Sequence, residues 1–324
     1  MDNLDQEIAT QIADLERLQK QHQQTLSLAQ EIDAIYAEQR APKVDAIAQY
    51  QANMAAFKQY IPDIYDSFID YSPEKFELVE FNDELHLVDG QDNVVLGERY
   101  YRDGMIDFEK YRFKPQMTRV DFADDLANPI DFVHVKYLNQ MTELVNQVDE
   151  THKHELILPE AVNMMVCFGL GLGYYLPLML DKHSVKRLYI YEPEHDFFYA
   201  SLFAIDWAGI LAQLDETGSS LHLCLGANED DFFADISDEL IRKGRYDATF
   251  SFCYKHYATE QMDNALKKFN KQSFEVAFGL GFFDDSLLAL SHQYHNLNNQ
   301  VPILAATTPL AEYCDKPVYM VKMI

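Results

Sequence analysis

The sequence predicts an α/β fold: a Rossmann-like, mostly parallel sheet with helices on both faces, preceded by a helical and small antiparallel β N-terminal part. Three observations carry this. From residue 155 onward, short apolar strands alternate with helices at steps of about 25–30 residues. Residues 76–98 switch to a period of two, the pattern of a half-buried antiparallel meander. Residues 1–40 carry apolar side chains at three- and four-residue steps.

In chain order, Leu4, Ile8, Ile12, Leu15 and Leu18 begin one stripe, and Leu26, Ile32 and Ile35 resume it, so 1–40 reads as a helix ended by Pro42. It packs on its own domain or serves a homo-oligomer contact. A second helix spans 43–60 and stops at Pro62. The runs FELVEF, ELHLVD and NVVLGE form the meander, with bends at Asn82-Asp83 and Asp89-Gly90. Residues 100–130 are polar and aromatic without a clear period and read as a connector, and 131–150 reads as mostly helical. Five strand–helix units follow, with strands at 162–168, 187–192, 221–226, 247–253 and 273–279. Their helices span 173–182, 195–213, 229–243, 259–271 and 284–298. The all-apolar strands fit burial on both sides. The expected domains are 1–130, 131–300 and a final segment, 301–324.

The 324 residues are 48% hydrophobic with 12 Gly and 11 Pro, which excludes disordered and collagen-like classes. The net charge of −27 repels a phosphate backbone and an anionic membrane surface, so neither nucleic acid nor membrane is an expected partner. Residues 161–180 carry no charge over a span of bilayer length. Gly169, Gly171 and Gly173 interrupt it, so a buried strand running into a buried helix is expected instead. Cys167, Cys224, Cys253 and Cys314 are widely spaced, three of them in apolar runs, and read as buried thiols of a reducing, cytoplasmic compartment.

The candidate cofactor-binding residues are Gly169, Gly171, Gly173 and Glu192. A glycine turn from a strand into a helix lets a ligand approach backbone N–H groups at the positive end of the helix. Glu192 ends the next strand, 23 residues after Gly169, where an acid accepts a ribose hydroxyl in nucleotide-binding folds. A structural alternative stays open: the glycines serve close packing and Glu192 caps the following helix. A second glycine turn, 277–281, and the N-cap-like Asp284-Asp285-Ser286 read as structural. Glu229-Asp230-Asp231 opens a helix on whose solvent face Asp235, Asp238 and Glu239 are expected. The pairs His152/His154 and His292/His295 lack carboxylates to complete a metal set, so no metal is expected.

The order and spacing of FGLGLGYYL (168–176), YIYEPEHDFF (189–198), DDSLLALSHQYHNLNNQVPI (284–303) and DKPVYMV (315–321) resemble the Maf (motility accessory factor) family of flagellin glycosyltransferases. The resemblance implies an N-terminal part containing a Rossmann-like unit, then a central transferase domain and a helical C-terminal part. It implies transfer of a nonulosonic acid from its CMP donor to Ser/Thr of flagellin, a motility-related cytoplasmic reaction with flagellin as partner. In the family, a strand like PVYMV runs into a Gly-Pro-Ser-Leu turn that opens the central domain. Here Val321 is followed by Lys322-Met323-Ile324. The expectation is therefore a truncated N-terminal portion, with 301–324 as linker and first strand, no catalytic residue carried over and no certain cofactor. Two alternatives remain: an S-adenosylmethionine-dependent methyltransferase-like protein using Gly169, Gly171, Gly173 and Glu192, and a non-catalytic interaction module.

Overall fold

A computed structural model of the chain describes residues 25–119 except 83, and 157–278 except 245, 246 and 249. It also describes isolated residues at 19, 20, 22, 23, 139, 140, 143, 144, 290, 291, 294, 295 and 298. The chain divides into a unit formed by 1–119 with 155–277 and a second formed by 120–154 with 278–324. The first contains every element described below.

Residues 25–36 are helical. Helix α1 (Ala46–Tyr60) starts at Asp45, whose carboxylate accepts the Ala48 N–H. Pro62 then occupies the first turn of α2 (Pro62–Phe68), where a missing N–H costs nothing. The meander follows as β1 (Phe76–Phe81), β2 (Glu84–Asp89) and the short β3 (Val94–Val95), paired antiparallel in that order. Asn82 at the first bend has φ 54°, a conformation asparagine tolerates better than most residues.

The expected connector is ordered. Helix α3 (Tyr100–Phe113) and strand β4 (Gln116–Arg119) occupy its first twenty residues. Strands β5 (Ala161–Phe168), β6 (Ser184–Glu192), β7 (Ser220–Leu225) and β8 (Phe250–Lys255) complete a sheet of order β4-β8-β5-β6-β7. The last four run parallel, and β4 is an antiparallel edge on β8. Between them lie α4 (Tyr175–Lys182), α5 (His195–Ala204), α6 (Trp207–Glu216) and α7 (Glu229–Lys243), with α8 (Glu260–Phe278) after β8.

Two further expectations are corrected. The segment 273–279 is not a fifth parallel strand, because α8 continues through Phe278. The single helix expected over 195–213 is a pair bent by 89°, since Asp206 caps a new start through the Gly209 N–H. The helix expected over 284–298 and the second glycine turn lie largely or wholly outside the described residues, as do Cys314, His152, His154 and His292.

Both sheet faces are covered, and the strand period of two sorts the side chains between them. On one face, Met165, Cys167, Leu188, Ile190, Phe252 and Tyr254 join the main core with residues of α1 and α3–α6. On the other, Phe168 and Tyr191 meet Phe232 of α7, and Phe168 also meets Phe269 of α8. The uncharged stretch 161–180 is thus a strand, a turn and a buried helix. Among the described residues, no single helix is long and apolar enough to cross a membrane. Cys167, Cys224 and Cys253 are buried free thiols, and burial pushes the Cys253 thiol up to about 11.

Candidate functional site

In an open α/β sheet, ligands bind outside the carboxyl ends of the strands, where the strand order reverses. Here that point lies between β5 and β8, and the residues selected from the sequence converge there. Gly169, Gly171 and Gly173 have φ of 93°, 55° and 78°, so the turn after β5 is left-handed at alternate positions. The space against the glycines is filled. A Cβ on Gly169 would stand 2.7 Å from the Tyr257 ring, and one on Gly171 would overlap the Tyr100 hydroxyl outright.

Glu192, at the end of β6, is fully buried at 0% exposure. Its Oε2 accepts the N–H groups of Leu170 at 2.8 Å and Gly171 at 3.0 Å. Its Oε1 accepts the Tyr257 hydroxyl at 2.6 Å and the Glu194 N–H at 3.0 Å. The carboxylate that spacing offers to a ribose thus turns inward, onto the glycine turn and the start of α5. Burial pushes its pKa up to about 7, while these four donors pull the other way.

The next donor of the turn, the Leu172 N–H, goes to the Tyr100 hydroxyl at 3.3 Å. Tyr100 also lies 2.5 Å from His256 Nε2, and His256 Nδ1 lies 3.2 Å from the Tyr254 hydroxyl. The imidazole thus lies between the Tyr100 and Tyr254 hydroxyls, and as a neutral ring it donates at one nitrogen and accepts at the other. Burial lowers the His256 pKa to about 3, so the ring is neutral. Tyr175 closes the arrangement by donating to the Gly169 carbonyl at 2.9 Å.

Sequence reasoning selected the glycines and Glu192 but missed Tyr100, His256 and Tyr257. Tyr100 sits in the stretch taken for a connector, and His256-Tyr257 follow β8 without any motif. It also missed Asp196. This buried carboxylate accepts the N–H groups of Glu74, Lys75 and Phe76 at 2.7–3.3 Å and the Tyr71 hydroxyl at 2.6 Å. The meander is thereby tied to α5. The acidic face of α7 also differs from expectation. Glu239 is buried and pairs with Lys243 and Arg242, and Asp235 bonds His222, while Asp238 stays exposed. Among the described residues, no group of three or more His, Cys, Asp and Glu side chains is placed to hold a metal ion.

The described unit thus combines a mostly parallel sheet, a glycine turn closed by the chain's own carboxylate and an N-terminal meander docked on α5. The family model of the glycosyltransferase Maf N-terminal domain matches residues 49–277. The chain belongs to this family. No curated protein matches the chain. Among solved structures, the Maf glycosyltransferase from Magnetospirillum magneticum AMB-1 is similar, with a TM-score of 0.56 and 21% sequence identity over 77% of this chain. At that identity the likeness shows a shared fold. The match covers 38% of the length of that chain. The Maf N-terminal match runs from within α1 to the end of α8, and so takes in the meander, α3, β4 and the whole sheet as one family unit.

Proposed function

We propose that this chain is the N-terminal region of a flagellin glycosyltransferase, and that the described domain organises the enzyme or its protein acceptor and does not perform the transfer. The reaction served is the transfer of a nonulosonic acid from a CMP-linked donor to Ser/Thr of flagellin, in the cytoplasm. The family match supports the glycosyltransferase assignment, and the sequence resemblance supplies the donor and acceptor classes.

One observation carries the non-catalytic role. The three consecutive N–H groups that a Rossmann turn offers to a phosphate, those of Leu170, Gly171 and Leu172, are consumed by Glu192 and Tyr100. A ligand phosphate would have to displace a buried carboxylate and meet its charge. On this reading the glycine turn fixes β5, β6 and β8 relative to one another.

The test is a transfer assay with purified flagellin and a CMP-nonulosonic acid. The chain alone should give no turnover above heat-killed protein, and should co-purify with flagellin or raise transfer by a separately supplied catalytic domain. Turnover by the chain alone would overturn the non-catalytic role. Neither association nor stimulation would remove the flagellin assignment.

A further inference from the structure

A second concavity lies away from the glycine turn. It is a cleft of about 660 Å³ between residues 37–40, the meander and the first turn of α3. That volume falls in the range of small-molecule sites. Arg40, Arg99 and Arg102 line it, from two separate stretches of the chain. Arg102 is held by the Asp103 carboxylate at 2.6 Å. Arg40 and Arg99 are exposed, and neither pairs with a carboxylate among the described residues. In a chain of net charge −27, guanidinium groups left without carboxylate partners in a concavity call for an explanation.

Two further features point to an anion. The N-terminus of α3 borders the cleft, and no side chain caps it, so the positive end of the helix is not neutralised by a cap. Independently, His86 of β2 lines the same cleft at 6% exposure, and its Nδ1 is buried with no hydrogen-bond partner. A buried polar atom left unpaired is costly, and a turn of the imidazole toward the cleft would let a bound group supply the missing bond.

The rest of the wall limits what the anion is carried on. Glu38, Glu84 and Glu98 also line the cleft, and carboxylates would repel a bare polyanion but accept hydroxyl groups. Phe81, 65% exposed, offers an apolar ring face. We propose that this cleft binds a phosphomonoester carried on a hydroxylated ring body, a sugar phosphate or a nucleoside monophosphate. The guanidinium groups and the α3 N-terminus take the phosphate, and the carboxylates take the hydroxyls. Bidentate guanidinium–phosphate pairs are among the stronger polar contacts available.

Calorimetric titration of the full chain with glucose 6-phosphate, ribose 5-phosphate, uridine monophosphate and inorganic phosphate tests this. At least one organic monoester should bind about tenfold or more tightly than inorganic phosphate, and the tighter one identifies the source. The double variant Arg40→Ala/Arg99→Ala should weaken that binding by about tenfold or more with an unchanged Tm, since both side chains are exposed. His86→Phe, which keeps a planar aromatic ring but removes the nitrogens, should weaken it. Equal affinity for inorganic phosphate would mean an adventitious ion only. That result, silence of all four probes, or wild-type affinity in the double arginine variant would each overturn the proposal.

Discussion

The Oε2 atom of Glu192 lies 3.0 Å from the backbone N of Gly171, a hydrogen bond that spans 21 residues and lets the end of β6 close the turn after β5. The carboxylate sits where an anionic ligand would sit in an open Rossmann turn, with four neutral donors around it and no counter-ion among the described residues. Neutral donors stabilise the ionised form, but full burial costs more, and the group titrates at about 7 where an ordinary glutamate titrates at 4.5.

The sign of the pH dependence follows. Between 4.5 and about 7 the folded state holds a proton on Glu192 that the unfolded state has released. Stability from this group is therefore full below 4.5 and is lost as pH rises through 7. The shift corresponds to roughly 3 kcal/mol. Against Glu192→Gln, which cannot ionise, the wild type should lose Tm between pH 5 and pH 8. Taking the difference between the two proteins removes the opposing contribution of His256, whose lowered pKa destabilises the fold only toward acid. Parallel Tm curves for the two proteins over that range would show that Glu192 stays ionised throughout.

The glycine turn separates strain from collision. Gly218 has φ 65°, and a methyl group added there would meet nothing within 4 Å, so Gly218→Ala tests the backbone conformation alone, worth about 1 kcal/mol. At Gly171 the same methyl group overlaps the Tyr100 hydroxyl and forces the buried Tyr100–His256 pair apart. Gly171→Ala should cost several-fold more than Gly218→Ala in urea unfolding. Equal losses would mean that Tyr100 moves aside freely.

Much of this was legible in the sequence, and the omissions have physical causes. Strands β5, β6 and β8 carry apolar runs because most of their residues are buried on both faces, and that pattern needs no partner to be seen. Strand β4, QMTR, is four residues at a sheet edge, and only its pairing with β8 makes it a strand. The run SFEVAF has strand-like composition, but no glycine or proline separates it from the helix that begins at Glu260. The place beside β8 on the far side from β5 is already taken by β4. Glycine spacing and the position of Glu192 located the turn correctly. What spacing could not give is direction: the carboxylate faces inward because Tyr257 and Tyr100, 65 residues after it and 92 before it, fill the space outside.

The closed turn makes a prediction about S-adenosylmethionine, which carries no phosphate and so does not probe the arginine-lined cleft. A methyltransferase-like site would hold its ribose through Glu192, and wild type would give a measurable calorimetric constant that Glu192→Ala weakens by about one to two decades. The geometry predicts silence in the wild type, because Glu192 has all four of its contacts within the chain. A micromolar constant lost in Glu192→Ala would reopen the turn as a ligand site.

Asp196 gives the last prediction. Its carboxylate serves the N–H groups of Glu74, Lys75 and Phe76 and the Tyr71 hydroxyl, where the chain enters β1. Burial raises its pKa, but these donors outweigh that and hold it below the ordinary value of 3.8. Its stabilising contribution is therefore present above 3.8 and is lost as pH falls through the lower folded value. Asp196→Asn presents an amide NH₂ where an acceptor is needed, so at least one of the backbone donors is left facing a donor. The cost should be about 1–3 kcal/mol at neutral pH, shrinking in strong acid where the wild-type carboxylate is itself protonated. Hydrogen exchange locates the effect: the N–H groups of 74–76 and the β1–β2 ladder should lose protection while β5 and β6 keep theirs. Uniform loss of protection across the sheet would show that Asp196 supports the whole core, and unchanged protection at 74–76 would show that the meander is held by its other contacts with α5, the Phe76–Phe197 packing and the Lys75–Glu194 ion pair.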